Sequence, residues 1–223
     1  MSQEHPAKPS PFKAHTPQVD QFEREIASLR EQLSKAQREG ARIEGVRAYE
    51  FQELNGERST LADLFGTHND LLLIHNMGER CLYCALWADG LSALASHMEQ
   101  RAAFVLATPD AIESAREQVQ ARGWRMRVVS DAGSPFADDM GFEGEVDARG
   151  VIRLPGVSAF HRNKDGRIDR VSAATFGPGD TFCAIWPLFD LLPEGVRGFA
   201  PLSAAAMRQA TQSAARLPST KTM

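Results

Sequence analysis

From Pro17 to Arg38 the apolar positions Val19, Phe22, Ile26, Leu29, Leu33 and Ala36 recur at alternating steps of three and four, with Glu, Arg, Gln and Lys between them. Residues at those steps share one face of a helix, so the pattern predicts an amphipathic α-helix with a single apolar stripe. The stripe suits either pairing with a copy of itself or lying on a globular body. At this length docking onto the body is the simpler expectation. Before it, Met1 to Thr16 carries Pro6, Pro9 and Pro11 among polar residues, the composition of a disordered lead-in. Gly40 and Gly45 bracket a short linker after it.

A different pattern begins near Val46. Val46 to Gln52 alternates like a strand, and Asn55-Gly56 marks a turn. Ser59 or Thr60 is placed to cap a short helix over Leu61–Phe65, ended by Gly66. Leu71 to His75 reads as a buried strand, followed by a polar loop and a helix running to Met98. Ala103 to Ala107 is a second buried strand, and Thr108-Pro109 predicts the start of a helix that Gly123 closes. Met126 to Ser130 is a further strand, and Asp131 to Gly144 reads as irregular, with a short helix at Pro135 to Met140. Gly156–His161 and Ile168–Ala174 flank Asn163-Lys-Asp-Gly166, a hairpin signal. Phe182, Ile185, Trp186, Phe189 and Leu192 predict one core helix over Thr181–Leu192, with a kink at Pro187, before an Ala-rich tail from Ser203.

Strands alternating with helices, then a hairpin and a last helix, imply an α/β fold: a mixed central sheet flanked by helices, with an added N-terminal helix. The expected division is a lead-in and helix over 1–44, a main domain over 45–200 and a tail over 201–223. Composition supports one domain with appendages: 223 residues, 43% hydrophobic. A formal charge of −4 argues against nucleic acid as a partner. No apolar run is long enough to cross a bilayer, and the N-terminus lacks the apolar segment of a secretory signal, so the expectation is a cytoplasmic protein with no membrane partner.

Three cysteines are too few for a disulfide scaffold. Two of them form Cys81-Leu82-Tyr83-Cys84 where the buried strand gives way to a helix. The unpaired N–H groups and macrodipole of a helix start favour a thiolate at the first sulfur, and the second lies one turn on, within reach of a disulfide. Cys81 is therefore the expected nucleophile, Arg80 adds positive charge beside it, Glu79 opposes it, and Cys84 is the expected resolving thiol. The plain alternative is a pair of inert thiols. Zinc would need two more ligands, and Cys183, His75, His97 and His161 form no second close pair, so no metal is expected. Cys183, among apolar residues, reads as a buried thiol, and His75, at the strand end before the loop, is placed to serve as a base, although a lone histidine is more often structural. Asp89 on the cysteine helix is placed either to accept a proton from Cys84 or to be a solvated carboxylate, and Trp87 belongs to an apolar stripe with Leu91, Leu94 and Met98.

This order of elements, with a cysteine pair opening the helix after the first buried strand, resembles the thioredoxin superfamily. Tyr49 to Gly66, with its Asn55-Gly56 turn and Ser59-Thr-Leu-Ala-Asp-Leu64 segment, is similar to the opening of the peroxiredoxin-like branch. Cys81-Leu-Tyr-Cys-Ala-Leu-Trp-Ala-Asp-Gly90 and Leu154-Pro-Gly-Val-Ser-Ala-Phe160 resemble signature segments of the bacterial thioredoxin-like family called domain of unknown function 899. The resemblance implies a thioredoxin-like fold over roughly Arg42 to Gly195 and a cis-proline at Pro155 facing the disulfide. It also marks Trp87 and Asp89 as signature positions. Pro155, Tyr83 and Trp87 are then the expected substrate side, with Arg80 and Asp89 supporting. Peroxiredoxins carry Thr or Ser three residues before the reactive cysteine and Pro four before that. Gly78 and Ile74 stand there instead, which disfavours efficient peroxide chemistry by that route.

The leading expectation is a thiol–disulfide oxidoreductase with no cofactor beyond a Cys81–Cys84 disulfide, acting on a protein or small-molecule disulfide or thiol. The alternatives are a peroxiredoxin-like thiol peroxidase and a non-catalytic thioredoxin-fold binding module that dimerises through Val19 to Ala36.

Overall fold

Helix α1 (Pro17–Gly40) opens the residues that the computed structural model describes, which are 16–147 and 150–215. Thr16 caps it in extended conformation, accepting from the Val19 N–H, and Pro17 sits in the first turn, where no amide partner is needed. No residue of α1 is buried, and Leu29 is 62% exposed. The docking expectation is thus corrected for the stripe, which stays exposed: only the C-terminal turns of the helix lie against the body, along residues 168–175, with Ser34 and Gln37 half-buried. Just past its end the helix is fastened to the body, where the Ala41 carbonyl accepts from Arg170 Nε at 2.7 Å and Ile43 pairs with Arg170. The expected lead-in before Thr16 and the end of the expected tail lie outside the described residues.

Strands β1 (Glu50–Glu53) and β2 (Arg58–Thr60) form a hairpin around Asn55-Gly56, where Gly56 takes φ +90°. The short helix expected over Leu61–Phe65 is a 3-10 turn at Asp63–Phe65, and Thr60 with Asp63 caps it reciprocally: each side chain accepts the other's N–H. Next come β3 (Asp70–His75), α2 (Leu82–Met98), β4 (Ala103–Thr108), α3 (Ile112–Arg122) and β5 (Arg127–Ser130). α3 starts three residues after the predicted Pro109 because Thr108 is still paired with Ser130 in the sheet and donates its hydroxyl to Asp110 at 2.7 Å. Gly123 closes it in the left-handed conformation, as expected.

After α4 (Phe136–Asp139), β6 (Glu143–Asp147) and β7 (Gly150–Arg153) make a separate two-stranded hairpin that the sequence pattern did not predict. β8 (Gly156–Arg162) and β9 (Ile168–Thr175) form the predicted hairpin. The expected helix over Thr181–Leu192 shrinks to α5 (Ile185–Phe189). Asp180 accepts from the Phe182 and Cys183 amides and holds them in a turn, and Pro187 falls in the first turn of the short helix rather than kinking a long one. Helix α6 (Ala204–Ala215) follows.

Among the described residues the main sheet has seven strands in the order β2-β1-β5-β4-β3-β8-β9. β3, β4 and β5 are parallel, β8 runs antiparallel to β3, and β9 runs antiparallel to β8. This is a thioredoxin-like mixed sheet. All six residues of β4 are buried because both faces are covered. On one face Leu71, Leu73, Val105 and Val129 pack with Phe65, Phe136 and Phe160. On the other, Ile74, Leu106 and Val128 pack with Ala85, Trp87 and Ala88 of α2 and with Trp186. Burying a side chain such as Leu71 or Leu106 contributes about 2 kcal/mol, so the core holds the end of β3, and with it the cysteine loop, in place.

Candidate functional site

The loop from Asn76 to Arg80 is anchored to the sheet. The Asn76 N–H donates to the Ala107 carbonyl at 3.0 Å, and its side-chain oxygen accepts from the Gly78 N–H at 2.7 Å. Gly78 takes φ +95°, and a β-carbon there would sit 2.7 Å from Asp110 Oδ1. Only glycine fits without displacing Asp110, so the hydroxyl that peroxiredoxins place here has no room. Glu79 is held away from the thiols: its carboxylate accepts from the Ser114 hydroxyl on α3.

Cys81 is the N-cap of α2, with φ −89° and ψ 98°. Its Sγ accepts from the Cys84 N–H at 3.1 Å, the role that a Ser or Asp oxygen plays at other helix starts. The Cys84 thiol, burial, and the backbone N–H groups of Cys84 and Tyr83 act on it in that order of size. Burial opposes the others, and the net effect lowers the Cys81 pKa to about 6. The thiolate therefore predominates at neutral pH. Cys84 is buried, and the hydrogen bond and charge of Cys81, together with burial, push its pKa up, so it keeps its proton. Both thiols are free. Cys81 is half-buried and Cys84 buried, and Arg80, which is exposed, is not among the causes of the Cys81 shift.

The other expected site residues are placed differently. Trp87 is 3% exposed and packs on Phe176 and Tyr83, so it is core and cannot touch a substrate at the surface. Asp89 accepts from Trp124 Nε1 at 2.7 Å and Arg122 Nη1 at 2.8 Å, joining α2 to the end of α3 instead of serving Cys84. Tyr83 is half-buried and stacked on Trp186. Pro155 lies one residue beyond the His75–Gly156 pair, level with the base of the cysteine loop. None of the described peptide bonds is cis, which corrects the cis-proline expectation. The chain enters β8 with the Leu154 N–H donating to Phe142 and the Pro155 carbonyl accepting from Phe176, both at 2.8 Å, an extended path that a trans bond serves.

His75 is on the far face of the sheet from α2, between Phe136 and Phe142, and shares a 2.9 Å hydrogen bond with Ser158. Burial holds its pKa well below the usual range, so it is a neutral structural group. Cys183 is buried, and burial raises its pKa, as a core thiol. Among the described residues no three His, Cys, Asp or Glu side chains converge as a metal site, and no helix is long and apolar enough to cross a membrane.

Sequence reasoning missed the residues that position the loop and cover the helix: Asn76 and Asp110 clamp Gly78, and Trp186 closes over Tyr83. A Gly three residues before the first cysteine was the available signal for the clamp. The remaining contacts are tertiary and leave no local pattern.

The structure is similar to several solved redox proteins. Peroxidoxin BcpB from Mycobacterium tuberculosis matches at 17% identity and a TM-score of 0.48, over 59% of this chain and 82% of that one. A Cys-to-Ser mutant of PrxQ from Xylella fastidiosa matches at 16% and 0.49, over 59% and 81%. Peroxiredoxin Q from Xanthomonas campestris matches at 15% and 0.49, over 61% and 86%. No curated protein matches the sequence. The model of one family, described as bacterial protein of unknown function DUF899, matches residues 3–212, and the chain belongs to that family.

Proposed function

We propose that the protein is a thiol–disulfide oxidoreductase whose working group is the Cys81–Cys84 pair. The observation that carries this reading is the cap itself: one sulfur receives the N–H of the other cysteine and ionises at about 6, while the other stays protonated one turn away. In the reducing direction the Cys81 thiolate attacks one sulfur of a substrate disulfide. A Cys81–substrate disulfide forms, and the substrate's other sulfur leaves as thiolate. The charge that raised the Cys84 pKa is then gone, so Cys84 loses its proton more easily, to the departing thiolate or to water. It attacks Cys81 Sγ, closes the Cys81–Cys84 disulfide and frees the second substrate thiolate. Two electrons pass from the dithiol to the substrate, and a dithiol reductant must return them. No cofactor enters this cycle. A reducing cytoplasm suits a dithiol that works as the thiolate.

Leu82, 38% exposed, and half-buried Tyr83 follow Cys81 in the first turn of α2 and are the proposed substrate contacts, with Pro155 at the base of the loop. What supports this reading over a peroxide-reducing one is Gly78, where a hydroxyl-bearing side chain would collide with Asp110. The test is dithiol-driven reduction of a small aromatic disulfide. Cys81→Ser lowers the rate at least about 100-fold, whereas Cys84→Ser traps the mixed disulfide on Cys81. An unchanged rate in Cys81→Ser would remove the assignment.

A further inference from the structure

Helix α1 presents an unpartnered seam. Val19, Phe22, Ile26, Leu29 and Leu33 are 38, 50, 47, 62 and 55% exposed, and none of the 24 residues is buried. At 1.5 Å per residue the helix is roughly 36 Å long; its C-terminal turns lie against β9, with Ser34 and Gln37 half-buried, and the chain is fastened just past its end. The steps of three and four place Val19, Ile26 and Leu33 at the first core position of successive heptads and Phe22, Leu29 and Ala36 at the second.

We propose that this seam pairs with the same seam of a second copy, in a parallel two-stranded coiled coil. Three observations favour that occupant. β-Branched Val19 and Ile26 at the first core position, with Leu29 at the second, favour two strands over three or four in a parallel coiled coil. In the parallel register the flanking Glu25 of one copy faces Arg30 of the other, twice by symmetry, while Gln32 faces Gln37 and Gln18 faces Glu23. No like charges meet. The polar face mixes Asp20, Arg24, Glu31, Lys35, Arg38 and Glu39, which does not suit an anionic lipid surface. The pairing places two redox domains at the same end of one stalk and leaves Cys81 of each outside the seam.

The test uses the full chain in sedimentation velocity. Wild type sediments as a dimer at tens of micromolar, and Leu29→Glu, at an exposed position, sediments as a monomer with an unchanged pH profile of Cys81 alkylation. Arg30→Glu and Glu25→Arg each weaken self-association about tenfold, and mixing the two restores it, because each supplies the charge that the other lacks. A wild-type monomer at about 100 µM, or a dimer that survives Leu29→Glu, would overturn the proposal. Failure of the mixture to restore association would overturn the parallel register.

Discussion

The amide of Cys84 donates to the sulfur of Cys81 across 3.1 Å, so the residue that would resolve a mixed disulfide also helps stabilise the thiolate that forms it. The two sulfurs are therefore linked in ionisation. Their pKa values move apart, one down to about 6 and the other up.

The first consequence is a pH profile. Alkylation of the reduced protein by iodoacetamide rises through a midpoint near pH 6 and then levels, at one thiol, because Cys84 stays protonated. Cys84→Ala removes the largest stabilising contact and shifts the midpoint upward, while Arg80→Ala leaves it in place. Mass-resolved alkylation rates between pH 4 and 9 measure both shifts, and a midpoint that moves with Arg80 rather than Cys84 would contradict the account.

The same ionisation links to stability. Cys81 ionises more easily folded than unfolded, so its contribution is full above the unfolded value near 9 and is lost as pH falls toward the folded value of about 6. The reduced wild type therefore gains more in melting temperature between pH 6 and 8.5 than Cys81→Ala does. Parallel slopes in calorimetry would contradict the depressed pKa.

Gly78→Ala forces a β-carbon into the left-handed region and against Asp110. The expected cost is about 1–3 kcal/mol in urea unfolding, with slower alkylation of Cys81 as the loop shifts. An Ala variant as stable and as reactive as wild type would show that the clamp does not position the cysteine.

Asp89→Ala separates packing from chemistry. It leaves Trp124 Nε1 and Arg122 short of an acceptor and lowers stability by about 1–3 kcal/mol, while the alkylation midpoint of Cys81 stays near 6. A midpoint that moved with Asp89 would return it to the redox site.

The ion pair of Arg153 with Asp131, at 2.6 Å, is largely buried, and Arg153 also reaches Glu143 at 3.0 Å. Arg153→Ala strands the Asp131 carboxylate and costs about 3–5 kcal/mol in urea unfolding. A loss below about 1 kcal/mol would show that water reaches the carboxylate.

The sequence disclosed the elements whose signal is local. Leu71–Ile74 followed by Cys81-x-x-Cys84 predicted β3, the loop and α2, because burial and helix capping act within a few residues. The steps of three and four in α1 predicted the helix but not its surroundings, since the same stripe serves a body or a copy. β6 and β7 escaped because their charged residues do not alternate as a buried strand does. Their anchorage is tertiary: Arg153 bridges to Asp131 and Glu143. The aromatic spacing over Thr181–Leu192 suggested a long helix, yet it reflects a cluster around Trp186 and Phe199, with Asp180 capturing two amides before a short helix starts. Trp87 and Asp89 were expected at the site because the family resemblance marks them as signature positions on the cysteine helix. Their partners, Phe176, Trp124 and Arg122, are far along the chain, and only the folded structure shows that these contacts are structural.

The most direct test of the central claim is a glutathione redox titration of the Cys81–Cys84 pair in a Cys183→Ser background, read by mass after thiol trapping. The account predicts a reversible two-electron transition between about −300 and −120 mV. A pair that forms no intramolecular disulfide anywhere in that range would contradict it.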